Sequence, residues 1–402
     1  MAASKKGVVS EASKAAKASK AAKASKAAKA SKGSPHAQGY RMPAEWEPHA
    51  ATWLAWPHNR SDWPGKGLLV SWVFVEMARQ LQLGERIRLV VRDKVEQARA
   101  LKAFADGGVD LSRVDVLQKS SNRSWTRDPL PSFVTRTKKR IGSAPRQRIT
   151  EREVAAVKWQ FNGWARYPDF ALDDALGDAV AKRVTKKVFH PTVQGKKKDK
   201  RVVLEGGAID VDGQGSLLAT EQCLLSGPYP RNAKLGKAGT EQVLLDYLGV
   251  TKVLWLGDGI AGDDTSGHVD DFARFVAPGV IALAQEPNRR DDNHRPLAAA
   301  RERLEGERDA RGRKIQVVPL PMPNPVYFAG QRLPASYANF YIGNRVVLVP
   351  TFNDPKDRIA LGILAELFPK RGVVGIHCLD LVLGLGTLHC STQQEPAAGT
   401  RR

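Results

Sequence analysis

An α/β fold is what this chain predicts, because a single unit recurs along it: an amphipathic helix, a turn, a β-branched strand and a polar tip. The first copies run from Val75–Leu83 into Ile87–Val91 and from Glu96–Phe104 into Val114–Leu117. In the next, Glu241–Leu248 meets Gly249, a helix C-terminal stop, before Val253–Leu256. Leu297–Leu304 leads into Ile315–Val318, and Ala360–Phe368 stops at Pro369 before Val373–Ile376. The strand ends also carry the most reactive loops. Val114–Leu117 opens toward Trp125 and Asp128, and Val253–Leu256 toward His268 and Asp270, so converging strand ends would bring these side chains together.

Length and composition allow a substantial core: 402 residues, 42% of them hydrophobic. Of the formal charge of +21, the first 34 residues supply +8 through nine lysines and one glutamate. Residues 12–32 repeat Ala-Ser-Lys-Ala-Ala-Lys, whose only apolar residue is alanine and whose period of six sustains no stripe on a 3.6-residue helix. We therefore expect residues 1–39 to form a disordered basic tail, able to touch polyanions nonspecifically through residues 12–32, and residues 40–402 to form one catalytic domain. Two basic stretches poor in apolar residues, Thr135–Arg148 and Arg183–Arg201, read as solvated loops. The aromatic segment from Met42 to Pro57 reads as extended, with Trp53 and Trp56 in the core or lining a pocket.

Cys223, Cys378 and Cys390 make no dense disulfide framework, and no stretch reaches the roughly 18 consecutive apolar residues of a membrane span. With no apolar secretory leader, a reducing cytoplasm is the expected location. His377-Cys378 and His389-Cys390 invite a zinc reading, but neighbours on a strand point to opposite faces and the C-x2-4-C spacing is absent, so no metal is expected. A serine hydrolase is disfavoured because no G-x-S-x-G turn occurs.

Three distant stretches carry the chemistry. Cys390 lies in Gly384-Leu385-Gly386-Thr387-Leu388-His389-Cys390, where glycines let backbone approach a ligand closely. In Gly267-His268-Val269-Asp270, an extended backbone would turn the imidazole and the carboxylate to one side, although an acidic helix cap with an incidental histidine is the plainer account. Asp128 ends Trp125-Thr126-Arg127-Asp128, and Glu205 precedes the paired glycines of a strand that reads as half of a hairpin, Val203–Asp212. A thiol, an imidazole and two carboxylates are the groups needed to hold a guanidinium, attack its carbon and expel ammonia.

Taken in order, Met42-Pro43-Ala44-Glu45-Trp46, Trp53-Leu54-Ala55-Trp56-Pro57, Trp63-Pro64-Gly65-Lys66, Trp125–Asp128, Leu204-Glu205-Gly206-Gly207, Gly267–Asp270, Pro334–Tyr341 and His389-Cys390 resemble the agmatine deiminase and bacterial-type peptidyl-arginine deiminase family. The resemblance runs from about residue 40 to residue 397. It implies a five-bladed pseudo-symmetric α/β propeller of ββαβ units around one active site, without metal or organic cofactor. It also implies Cys390 as nucleophile, His268 as general acid/base, Asp128 with Asp270 gripping the guanidinium, and Asp264, Trp125 and Glu205 at the substrate.

The expected substrate is agmatine, hydrolysed to N-carbamoylputrescine and ammonia. Arginine, free or in a peptide, is the alternative within the enzyme class, and a silent relative binding polyanions through its tail is the alternative outside it. A homo-oligomer is compatible with the sequence, which fixes no assembly. Two stretches depart from the family pattern, Gly384-Leu385-Gly386-Thr387 and Pro129-Leu130-Pro131, Ser266 stands where an acid often precedes the Gly-His, and an altered far wall of the pocket is the expected result.

Overall fold

A computed structural model describes residues 29–141, 148–194 and 199–401. One arrangement occurs five times: an antiparallel strand pair, a helix, then a strand parallel to the second of the pair. It is clearest in Ile209–Val211, Ser216–Thr220, helix Gly236–Leu248 and Lys252–Leu256. Ala273–Ala277, Val280–Gln285, helix His294–Leu304 and Gln316–Pro321 repeat it. So do Tyr341–Ile342, Val346–Thr351, helix Asp357–Leu367 and Gly372–His377. The fourth is Ser132–Ile141, Arg148–Val157, helix Ala171–Val184 and Val188–Phe189.

The fifth joins the two ends of the fold. Gln393–Pro396 pairs antiparallel with His49–Ala55, and helix Gly67–Leu81 returns to Arg86–Val91. A further helix, Lys94–Asp106, then adds the parallel strand Val114–Gln118. All five helix–strand units expected from periodicity are present, and Gly249 caps its helix in the left-handed conformation, φ 72°, as a glycine stop should.

Helices pack on the sheets through narrow apolar stripes, and the middle strands, such as Ser216–Thr220 and Val346–Thr351, are the buried ones, while the outer parallel strands Gln316–Pro321 and Gly372–His377 are only partly covered. Leu348 is representative: it pairs with Tyr341 and Val374 and is fully buried in the largest core cluster. Leu348→Ala is expected to lower stability by about 2–5 kcal/mol through lost burial and the cavity left behind. A denaturant midpoint unchanged from wild type would contradict that.

Three expectations change. Of Thr135–Arg148, Thr135–Ile141 and Arg148 are not loop but belong to antiparallel strands registered from Ser132 opposite Val157 to Ile141 opposite Arg148, and residues 142–147 lie outside the described residues. Two cations of this stretch share one acid on the opposite strand, Glu153 pairing with Arg136 at 2.6 Å and with Lys138 at 2.5 Å. Arg183–Arg201 begins as the end of helix Ala171–Val184 and contributes Val188–Phe189 to the same sheet, while Lys196–Lys198 lie outside the described residues. That helix escaped the periodicity reading because Asp173, Asp174, Gly177 and Asp178 dilute a stripe made of Leu176, Val180 and Ala181.

Residues 12–28 of the lysine repeat also lie outside the described residues. Order begins before Tyr40, since Ser31 donates to the Asp246 carboxylate from both its N–H and its hydroxyl at 2.7 Å. Trp53 is a core residue, its indole N–H donating to Glu395 Oε2 at 3.0 Å. Among the described residues no helix is long and apolar enough to cross a membrane.

Candidate active site

Each parallel strand runs into a loop that carries the chain to the next unit, and each loop delivers a polar residue to one place. Val114–Gln118 leads to Asp128, Val188–Phe189 to Glu205, and Lys252–Leu256 to His268 and Asp270. Gln316–Pro321 leads to Asn339, and Gly372–His377 to Cys390. His268 Nδ1 lies 3.8 Å from Asp128 Oδ1 and 4.0 Å from Asp270 Oδ1. Cys390 Sγ lies 3.8 Å from Asp270 Oδ2 and 3.2 Å from Asn339 Nδ2.

These groups border a cavity of about 250 Å³. Cys390, Asp128, Trp125 and Asp264 are on its wall, whereas His268 and Asp270 are buried immediately beneath it. Glu205 departs from the expected substrate contact. It is completely buried behind the imidazole, with Oε1 accepting from Arg231 Nε at 2.7 Å and Oε2 3.9 Å from His268 Nε2. Its ion pair with Arg231 holds it there rather than at the cavity.

The local backbone differs from the extended form expected at His268. Val269–Asp271 is a 3-10 turn, and the acid that caps this loop is Asp263, whose Oδ2 accepts from Gly267 N at 2.6 Å and His268 N at 3.3 Å. Gly267 takes φ 93°, and a Cβ there would meet Gln222 Oε1 at 2.6 Å.

Gly207 matters more directly. Its N–H donates to Asp128 Oδ1 at 3.0 Å, and a Cβ would lie 2.5 Å from His268 Nδ1 and 3.0 Å from Asp128 Oδ1 and Asp270 Oδ1. Gly207→Ala should therefore spread this cluster and cut kcat/KM by about 10²-fold, the usual consequence of displacing reacting groups by roughly 1 Å. A value within threefold of wild type would show that the cluster adjusts freely.

Burial alone would favour a neutral His268, but the Asp128 carboxylate, with Cys223 and Glu205 on the other side, holds its pKa well above the ordinary imidazole value. Burial, then the charges of Asp270, Asp271 and Asp128, push the Cys390 thiol well above its usual range. Asp128 is raised by burial, against the pull of His268. Asp270 stays low despite its burial because His389 donates to it. An empty site of this kind holds a thiol and an imidazolium, and its negative potential awaits a cation. Asp270 Oδ1 has no hydrogen-bond partner although buried, which leaves an acceptor for a ligand N–H.

Supporting residues came without a role from the sequence. Both ring nitrogens of His389 are engaged: Nδ1 bonds Asp270 Oδ2 at 2.6 Å and Nε2 bonds Glu45 Oε2 at 2.8 Å. Glu45 also forms an ion pair with Arg274, NH2 to Oε1 at 2.9 Å, and accepts from Ile342 N at 2.8 Å, tying the cysteine loop to two other units. Trp164 donates its indole N–H to Asp128 Oδ2 at 2.9 Å, and Tyr167 donates its hydroxyl to Asp264 Oδ2 at 2.5 Å. No short-range pattern marks these two; both belong to the linker between Val157 and helix Ala171–Val184.

The two departures from the family pattern separate here. Leu385, left-handed at φ 68°, lines the cavity, and Gly384 and Gly386 bring the backbone against Trp125. Pro129–Pro131 instead faces away: Leu130 is core, and the Pro129 carbonyl packs against Gly177.

The profile of the Porphyromonas-type peptidyl-arginine deiminase family matches residues 41–396. The chain belongs to this family, which includes agmatine deiminases. It is 35% identical to an agmatine deiminase of Pseudomonas aeruginosa (strain LESB58) over 388 residues, 90% of this chain and 97% of that one. An agmatine deiminase of Pseudomonas syringae pv. tomato is also 35% identical, over 90% of this chain and 97% of its own. The solved agmatine deiminase of Enterococcus faecalis superposes with a TM-score of 0.77 at 33% identity, covering 92% of this chain and 99% of that structure. A substrate-bound C. jejuni agmatine deiminase gives 0.74 at 25% identity, covering 89% and 97%. These relatives are hydrolases acting on C–N bonds in amidines, and the fold is that of guanidine-modifying enzymes.

Proposed function

We propose that the protein hydrolyses the guanidinium group of agmatine to a urea, releasing ammonia and N-carbamoylputrescine, at a single site centred on Cys390 and encircled by the five units as blades of a propeller. The observation that carries this reading is the placement of two carboxylates, Asp128 and Asp270, around His268 beside the Cys390 thiol, with one buried Asp270 oxygen left free. A planar cation with a fork of N–H groups satisfies both carboxylates at once and stays protonated between them.

The cation also supplies positive charge beside the Cys390 thiol, so the thiol gives its proton to solvent in the cavity more readily once substrate is bound, leaving a thiolate next to the His268 imidazolium. Sulfur attack on the guanidinium carbon gives a tetrahedral adduct. His268 protonates the departing nitrogen, the C–N bond breaks, and an amidino-thioether and ammonia result. Water, losing its proton to the same imidazole, then attacks the thioether carbon and the C–S bond breaks to restore the thiolate. Glu205 acts through His268, orienting the ring and favouring its charged form. The agmatine deiminases among the relatives support the substrate, and so does the acidic Asp264 on the cavity wall.

Ammonia release and product mass, measured with agmatine, free arginine and a peptide ending in arginine, test the reading. Agmatine alone should yield the urea. Turnover of the arginine compounds with none of agmatine would replace the proposed substrate, and inertness toward all three would remove the activity.

A further inference from the structure

The cavity carries a second carboxylate that neither the reaction nor the family pattern accounts for. Asp62 lines the wall that continues from Asp128 past Trp164 and Tyr167 to Asp264. Its side chain is only 4% exposed, Oδ1 is paired with Arg123, and Oδ2 is buried with no hydrogen-bond partner among the described residues. Asp264 is held in the same fashion, by one oxygen, where Oδ2 accepts from Tyr167 at 2.5 Å. Burial, with the charges of Asp169 and then Asp264, outweighs the Arg123 cation and leaves Asp62 at a pKa of about 6.

Arg123 cancels only part of this acidity toward a ligand, because its two terminal nitrogens are divided between Asp62 and Asp169, while its Nε has no hydrogen-bond partner among the described residues. NH1 is on Asp62, NH2 is 3.2–3.3 Å from both oxygens of Asp169, and its guanidinium lies 4.6 Å over the Tyr167 ring. It acts as a clamp that fixes one Asp62 oxygen and leaves the other uncommitted. A buried carboxylate oxygen without a donor is costly unless a ligand completes it.

We propose that Asp62 is a specificity-determining residue which, with Asp264, receives a primary ammonium at the far end of the substrate. The substrate class is then a guanidine bearing a distal amine and no carboxylate beside it, since a carboxylate would face two acids across the cavity. This deepens the agmatine reading and rests on it for the position of the guanidinium. The ammonium would donate to Asp62 Oδ2 and to Asp264, restoring full charge to both acids.

The test compares agmatine with n-butylguanidine, which keeps the guanidinium and the four-carbon chain but has no amine, in wild type, Asp62→Asn and Asp62→Glu. The ratio of kcat/KM for agmatine over butylguanidine should fall about 10- to 100-fold in Asp62→Asn, the scale of a lost charge-assisted hydrogen bond, chiefly through KM. Asp62→Glu should recover part of it. The same comparison is made calorimetrically on Cys390→Ala protein, reading the affinity of each guanidine with and without Asp62→Asn. Equal losses for both compounds, as misfolding would give, or an unchanged ratio overturn the proposal. If wild type turns over neither compound, the deimination reading fails; a calorimetric preference for agmatine that vanishes in Asp62→Asn still supports the ammonium receptor, and no such preference overturns it.

Discussion

Cys390→Ala should abolish deimination, lowering kcat by about 10⁴- to 10⁶-fold, the range seen when a covalent nucleophile is removed. The argument is geometric. Asn339 approaches the sulfur from one side at 3.2 Å and Asp270 from another at 3.8 Å, while His268 and Asp128 lie across the cluster. No other thiol can substitute. Cys378 is buried in the core, and Cys223 lies buried on the far side of His268, with Glu205. The variant should still bind agmatine, because the carboxylates remain. Retention of more than about one-hundredth of wild-type turnover would mean that water attacks directly and that the covalent route is wrong.

The same thiol carries a pH signature. Since burial and three acids raise its pKa above the ordinary value, alkylation of Cys390 in the ligand-free protein should keep accelerating as pH rises through and beyond the usual thiol range. A rate that levels off near neutrality would show a thiolate already formed without substrate.

Asp270→Asn is expected to cost about 10⁴-fold in kcat/KM, in keeping with a recognition group changed from acceptor to donor in a buried site. Three consequences coincide. The free Oδ1 acceptor facing His268 is lost or replaced by an NH₂ that opposes the guanidinium, the charge that keeps the substrate cationic disappears, and His389 loses its ionic partner at 2.6 Å. The last effect reaches the fold through Glu45, so thermal melting must accompany the kinetics. A drop of less than tenfold in a folded variant would remove Asp270 from the guanidinium grip. A loss confined to stability would reassign it to the His389–Glu45 network.

The side chains that cluster at the cavity were more legible in the sequence than the residues that support them, for a physical reason. Asp128, His268, Asp270 and Cys390 sit in short runs whose composition is unusual locally, and the helix-to-strand periodicity showed which loops could meet. His389 joins Asp270 across 119 positions and Glu45 across 344, and nothing near any of the three residues encodes that pairing. Glu205 was visible as an acid before two glycines, yet its burial follows from Arg231, which comes from another segment. The strand pair Ser132–Ile141 and Arg148–Val157 was hidden by its lysines and arginines, because one glutamate on the opposite strand pairs with two cations that a linear reading counts as solvated.

The pairing of Gln393–Pro396 with His49–Ala55 has a bearing on biosynthesis. Those last strands complete the sheet that the first strand begins, and the thiol precedes the closing strand by only a few residues. On a ribosome, a nascent chain whose earlier units have already collapsed still lacks both the edge partner of its first sheet and its reactive sulfur. Closure of the first sheet therefore waits for synthesis of Gln393–Pro396, and a chain interrupted before Cys390 lacks the thiol as well as the partner of its first strand.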